Sequence, residues 1–324
     1  MRRRSFYKLA GYFWRQRADQ AGGEILREII VLGNRIYHHR DHTDFNLQRL
    51  FVFWVRALKS SQVVLQLRDF FAAFSDLQKL ESGNAIFYEQ LLRHVFYHNS
   101  TLKERRQLIE DHFSFCQQHF FFPVLQTIYY DGRLILWQGS FAGGKLNFGL
   151  DFFYVDRKEG LMTLDLMLDG TRVYHITFLL GVTAGGQRCL RIGALQGSKD
   201  GEDTIHLLTK EFFGCRTKNL MLYGIQLLAQ ELGLEHIYAV SNEGFFTNNH
   251  VRMDRKLKTS LDAFWLEAGG RVLPDARFYE LPLTDCRKAI EDVKSKKRNL
   301  YRKRYALLDR LALIFRENLH TYLK

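Results

Sequence analysis

Proline is scarce in this 324-residue chain, cysteine is sparse, and no apolar run approaches the length of a membrane span. Only Pro123, Pro274 and Pro282 punctuate the sequence, so its segment boundaries are soft. Cys116, Cys189, Cys215 and Cys286 stand far apart without CxxC spacing. That excludes a zinc ribbon and a disulfide framework, and points to a reducing compartment. The opening MRRRSFYKLAGYFWRQR has the basic start of a signal peptide, but Lys8 and Arg15 interrupt any apolar stretch and no small-residue cleavage site follows. A cytoplasmic protein is therefore expected, touching a membrane at most from that side. The motifs GxGxxG and GxxxxGKS/T are absent too, which removes the Rossmann and P-loop readings. No Ser/His/Asp order or nucleophile elbow supports nucleophilic catalysis.

Positive charge and apolar content are abundant by contrast. Lysine and arginine outnumber the acids 47 to 35, a net charge of +12, which favours anionic partners: phosphate ligands, RNA or anionic lipid. An apolar fraction of 46% supports a real core. From about residue 5 to 122 the apolar residues recur at helical spacing, as in FNLQRLFVFWVRALKS, with Thr43 and Asp44 placed to cap that segment. The aromatic stripe Phe51, Phe53, Trp54, Phe70, Phe71 and Phe74 reads as helix-bundle core. Pro123 is expected to close the region. After it the pattern becomes strand-like: TIYYDGRLILWQG, KLNFGLDFFYVD, GLMTLDLMLDG, TRVYHITFLLGV and QRCLRIGALQG. The breaks KEG, DGT and AGGQ read as hairpin loops of an antiparallel meander.

The meander leads into the most informative stretch, Cys189 to Asn242, where strand, polar loop, helix and strand follow at βαβ spacing. It predicts that the strands ending at Gln196 and Ser241 are adjacent and parallel, joined by a right-handed crossover through the helix Asn219 to Leu232. Ligands of such sheets sit beyond the strand ends, here Gln196 and Gly197 on one strand and Ser241 and Asn242 on the other. The loops SKDGEDT and GCRTKN precede helices, and their backbone N–H groups with Lys210, Arg216 and Lys218 suit a pyrophosphate, or else simply turn the chain. The segment SNEGFFTNNHVRMDRKLKTS gathers Ser241, Asn242, Asn249, His250 and Arg252. It is either a site loop with His250 as acid or base, or a solvated excursion. His94 with His98, and His38, His39 and His42 with Asp41, lack an HExxH frame and read as structural, so no metal site is expected. The tail joins Lys294, Lys296, Lys297, Arg298, Arg302, Lys303 and Arg304 to an amphipathic LLDRLALIF, which fits an anionic surface or a helix capping the fold.

The ordered series IGALQG, TKEFFGCRTKN, YAVSNEG, NNHVRMDRKLKTS, AFW, EAGG, RFYELP and KKRNLYRKRY resembles the VirK/YbjX family of Gram-negative bacteria, over roughly residues 40 to 310. The resemblance implies a role in virulence, envelope stress and survival of cationic antimicrobial peptides, at most peripheral to the inner membrane. Meander, LRIGALQG strand, polar loop, helix and HIYAVSN strand also resemble the core of the GNAT acyltransferases, whose loop after the central strand holds the pyrophosphate of acyl-CoA. Gln196 to Gly201 only echoes that family's Q/R-x-x-G-x-G/A, and an insertion runs on to Lys218. The expected fold is α+β: a helical region over 1–124, a mixed-sheet acyltransferase-like domain over 125–285, and a basic C-terminal helix over 286–324. Two functions are carried forward. One is acyl transfer, with Gln196, Gly197, Lys210, Arg216 and Lys218 at an acyl-CoA donor, His250 as base, and Ser241, Asn242, Asn249 and Arg252 at the substrate. The other is regulatory binding of RNA, anionic lipid or a protein.

Overall fold

The computed structural model describes residues 20–37, 47–199, 201–249 and 260–324. Thr43, Asp44, His250 and Arg252 lie outside these. Among the described residues seven helices come first: α1 (Gln20–Tyr37), α2 (Leu47–Lys59), α3 (Ser61–Ala72), α4 (Ser75–Gly83), α5 (Ile86–Leu92), α6 (Leu102–His119) and α7 (Phe122–Gln126). Their buried stripes follow the helical period, for example Leu50, Phe53 and Ala57 on α2 and Val64, Leu67 and Phe71 on α3. Thr101 starts α6 with a capping box, its hydroxyl accepting from the Glu104 amide at 3.2 Å while Glu104 accepts from the Thr101 amide at 2.6 Å. Pro123 does not end the helical region. It occupies the first turn of α7, where its missing N–H has no partner to lose, and the chain continues through a π-turn, Thr127–Asp131. TIYYD is therefore helical, and the first strand starts only at Leu134.

The meander follows as β1 (Leu134–Phe141), β2 (Gly144–Asp151), β3 (Met162–Leu168), β4 (Thr171–Val182) and β5 (Arg188–Gly197), each antiparallel to the one before. Two-residue hairpins close β1–β2 and β3–β4, with positive φ at Ala142 and Gly143 and at Asp169 and Gly170. Those are the angles that match strand twist. KEG is not such a turn. It ends a longer β2–β3 connection over 152–161 that carries a 3-10 turn at Tyr154–Asp156. Beyond β5 come α8 (Glu202–Glu211), α9 (Thr217–Glu231), β6 (His236–Val240), α10 (Leu261–Glu267), β7 (Arg271–Val272), β8 (Phe278–Leu281) and α11 (Ser295–His320). The sheet order is β1-β2-β3-β4-β5-β6-β8-β7. As expected, β6 lies beside β5 and parallel to it, from Cys189↔His236 to Ile192↔Ala239. β8 then returns antiparallel, inserted between β6 and the edge strand β7.

Helices cover both faces of the sheet, giving an α+β protein. On one face α9 comes close because Gly224 has no side chain between it and Leu164 and Phe148, and α11 packs along β1 and α9. On the other face α6 lies against β4, where buried His112 accepts the Leu180 amide through Nδ1 at 3.0 Å. One continuous apolar core includes Phe71 and Phe113 from the helices, Phe148 and Phe178 from the sheet, and Phe315 from α11.

Candidate functional site

The α6 face of the sheet carries a row of polar residues where apolar ones are the rule. Register places Gly149 opposite Asp165, Asp165 opposite His175, and His175 opposite Gln196, so one cross-strand row spans β2 to β5. Asp165 is fully buried and pairs with Arg133, whose guanidinium lies flat over Gly149 and also reaches Asn147. Any side chain at 149 would occupy the guanidinium's place. A bulge between Leu166 and Met167 sets Arg172 opposite Met167, which turns it onto the same face. There it bonds Asp156 at 2.7 Å, Asp151 at 3.2 Å and Asp165 at 3.3 Å, with the Phe153 ring 3.8 Å away.

The β2–β3 connection brings Asp156 and Glu159 over this row. Gln196 donates to Glu159 Oε1 at 2.7 Å, whereas Glu159 Oε2 and both ring nitrogens of His175 are buried without a hydrogen-bond partner. His175 Nε2 stands 3.4 Å from Asp156 Oδ2, but burial, and then Arg172, push its pKa down to about 3, so the ring is neutral and makes no ion pair. Burial raises the carboxyls instead: Glu159 to about 8, helped by Asp156, and Asp156 to about 6 against the pull of Arg172. Asp151 is raised by burial and by Asp165. Asp151, Asp156 and Asp165 thus share two guanidinium groups, while Glu159 is held by Gln196. An open cleft of about 240 Å³, lined by Tyr129, Tyr130, Arg133, Asp151 and Phe153 among others, adjoins the cluster.

Gln196 is the member of this cluster that the sequence singles out, and Gly197 follows it against Tyr174 and Ile205. Lys210 is exposed in the last turn of α8. Arg216 and Lys218 lie along α10 instead, Arg216 paired with Glu267 and Lys218 4.6 Å above the Phe264 ring. Asn242 caps that same helix: its Oδ1 accepts the Leu261 amide at 2.7 Å and its Nδ2 donates to Ser260 at 3.1 Å. Ser241 closes the adjoining turn, donating to the Ala276 carbonyl and accepting the Gly244 amide. Asn249 ties its loop to the Asn99 amide at 3.0 Å. His94 and His98 do not share a helix face, because α5 ends at Leu92 and the chain turns through Phe96 with positive φ. Asp156, Glu159, Asp165, His175, Arg133 and Arg172 are absent from the motif-based reading. Their one sequence signal is polarity at inward strand positions, Asp165 within MTLDLML and His175 within TRVYHITFLL.

Fold and site together define an α+β protein with one parallel strand pair and a buried, acid-rich polar cluster beside it. The chain belongs to the family described as "Protein of unknown function (DUF535)", the VirK/YbjX family, which matches residues 44–317. It is 33% identical to the uncharacterized protein YbjX of Escherichia coli K12 over 237 residues, 70% of this chain and 67% of that one. A Haemophilus influenzae protein is 29% identical over 176 residues, 52% of this chain and 56% of the relative. A second from the same organism is 32% identical over 147 residues, 45% and 48% of the two chains. No solved structure matches the chain.

Proposed function

We propose that this protein transfers an acyl group from acyl-CoA to an amine, in the setting of virulence and envelope adaptation that the family resemblance implies. The observation that carries this reading is the parting of β5 from β6. The two strands pair only as far as Ile192 and Ala239, while β5 runs on to Gly197. The cause is local: Thr177 pairs with Ala194 and Phe178 with Ile192, so Gly193 is an extra residue in β5. Such a bulge bends and twists its strand away from a neighbour. In this reading the parting opens a crevice beyond the carboxyl ends of the sheet's parallel pair, the position where open α/β sheets bind ligands. The reading is also supported by the element order, in which a meander leads through β5, a polar loop with α8, and α9 into β6.

In this reading the donor enters beside Gln196 and Gly197, and its phosphates meet Lys210, Arg216, Lys218 and the N-terminus of α9. The acceptor approaches from Ser241, Asn242 and Asn249, with Arg252 and with His250 as base. The amine nitrogen attacks the thioester carbonyl, the C–N bond forms as the C–S bond breaks, and the amine's proton passes through the base while CoA leaves as the thiol. Thermal denaturation with CoA, acetyl-CoA and a long-chain acyl-CoA, together with thiol release in the presence of polyamines and lysine peptides, tests the proposal. Stabilisation by CoA species, weakened in Arg216→Ala and Lys218→Ala, is expected. No stabilisation and no thiol release would overturn it.

A second reading, binding of RNA or anionic lipid at the membrane face, is favoured by the first half of α11. Lys294, Lys296, Lys297, Arg302 and Lys303 are exposed there, whereas Arg298 and Arg304 are held by backbone carbonyls of Val293 and Phe213. Among the described residues no helix is long and apolar enough to cross a membrane. Cosedimentation with anionic vesicles and with RNA at one ionic strength separates these partners.

A further inference from the structure

We propose that Asp156, Glu159 and His175 form a binding site for a divalent first-row transition metal, of the Mn²⁺, Fe²⁺ or Zn²⁺ class. One carboxylate oxygen from each acid and one imidazole nitrogen already lie within 4.8 Å of one another. Ligands held at about 2.0–2.2 Å from a shared ion stand roughly 3–4.5 Å apart, so small side-chain rotations close the site. Proximity of acids alone would carry little. The independent observation is the set of buried polar atoms that nothing among the described residues satisfies: Glu159 Oε2 and the His175 ring nitrogens, in residues only 7% and 8% exposed. Buried polar atoms almost always have partners, and one ion held among the three residues supplies a partner for Glu159 and for one of the two ring nitrogens.

Charge leads to the same place. Asp151, Asp156, Glu159 and Asp165 contribute four carboxyls, and the guanidiniums bonded among them are those of Arg133 and Arg172. With all four carboxyls ionised, four minus two leaves two negative charges; Glu159, protonated at neutral pH in the metal-free protein, gives up its proton as a divalent cation binds. Lys158 stands with Arg157, Arg93 and Arg49 near Glu89, and its charge also favours the ionised form of Glu159. The two carboxylate ligands are already steered by neighbours, Glu159 by Gln196 and Asp156 by Arg172, each at 2.7 Å. An imidazole disfavours Mg²⁺ and Ca²⁺, and the lack of a thiolate disfavours soft ions. Three protein ligands leave a coordination position for water or a bound ligand. This site does not depend on the acyl-transfer reading, because neither the crevice at Gly193 nor CoA enters the argument.

The test is equilibrium dialysis of the EDTA-treated full chain against Mn²⁺, Zn²⁺ and Ca²⁺, with elemental analysis. About one equivalent of Mn²⁺ or Zn²⁺ per chain and a raised melting temperature are expected. Glu159→Gln and His175→Gln should each weaken binding about tenfold or more, while Glu202→Gln on exposed α8 leaves it unchanged. No stoichiometric uptake by the wild-type chain overturns the proposal. So does uptake that survives both variants, which would mark surface histidines as the ligands. If a variant fails to fold, pulsed EPR of the Mn²⁺-loaded wild-type chain decides: coupling to an imidazole nitrogen supports the site, and its absence contradicts it.

Discussion

His112 has to stay neutral for α6 to sit on the sheet. Its Nδ1 accepts the Leu180 amide, so the proton is on Nε2, which donates to the Tyr129 hydroxyl at 2.6 Å. Complete burial pushes its pKa down to about 3. That lies below the unfolded value of about 6.5, so the unfolded chain binds more protons between these limits. Stability from this residue is full above pH 6.5 and is lost as pH falls toward 3. By pH 5 the loss from this residue is about 2 kcal/mol, so denaturant unfolding at pH 7 and pH 5 should show a change more unfavourable by about that amount in the wild type than in His112→Asn. Equal pH dependence in both proteins would contradict this account. Gly193 makes a second residue-scale prediction. A Cβ there would overlap the Glu159 carbonyl oxygen, so Gly193→Ala should cost about 3 kcal/mol, whereas Gly185→Ala, whose Cβ would make only ordinary contacts with Thr183 and Gln187, should change stability by less than about 0.5 kcal/mol. Urea titration of both variants checks the contrast.

At the scale of elements, α11 divides its labour along its length. The C-terminal half buries Leu308, Leu311, Ala312, Phe315 and Leu319 against α9 and β1, while the cations cluster in the first half. Phe315→Ala should therefore cost about 3–5 kcal/mol by calorimetry or denaturant titration, and glutamine at Lys296, Lys297, Arg302 and Lys303 together should leave stability within about 1 kcal/mol. A small effect of Phe315→Ala would mean that α11 is only a surface attachment. The meander and the β5–β6 pair were legible in the sequence because strand alternation and the turns at Asp169 and Gly170 are local signals. TIYYD was not: its apolar and aromatic residues suit a strand or a buried helical turn equally, and packing against the core decides. KEG misled for a related reason, since three turn-forming residues do not reveal a ten-residue connection.

At the scale of the molecule, the polar cluster exists only because register aligns residues from β2 to β5 and a long connection folds back over them. Gln196 was found from its place at a strand end. Glu159 and His175 were invisible as a pair, since 15 intervening residues and a hairpin turn separate them in the chain. The same whole-sheet geometry sets where β5 leaves β6, and the acyl-CoA site proposed at that parting is the central claim. Hydrogen–deuterium exchange of the full chain with and without CoA tests it most directly. The account predicts slowed exchange over residues 193–201 and at the N-terminus of α9, with the β1–β2 hairpin unchanged. Unaltered exchange in those segments at saturating CoA would contradict it.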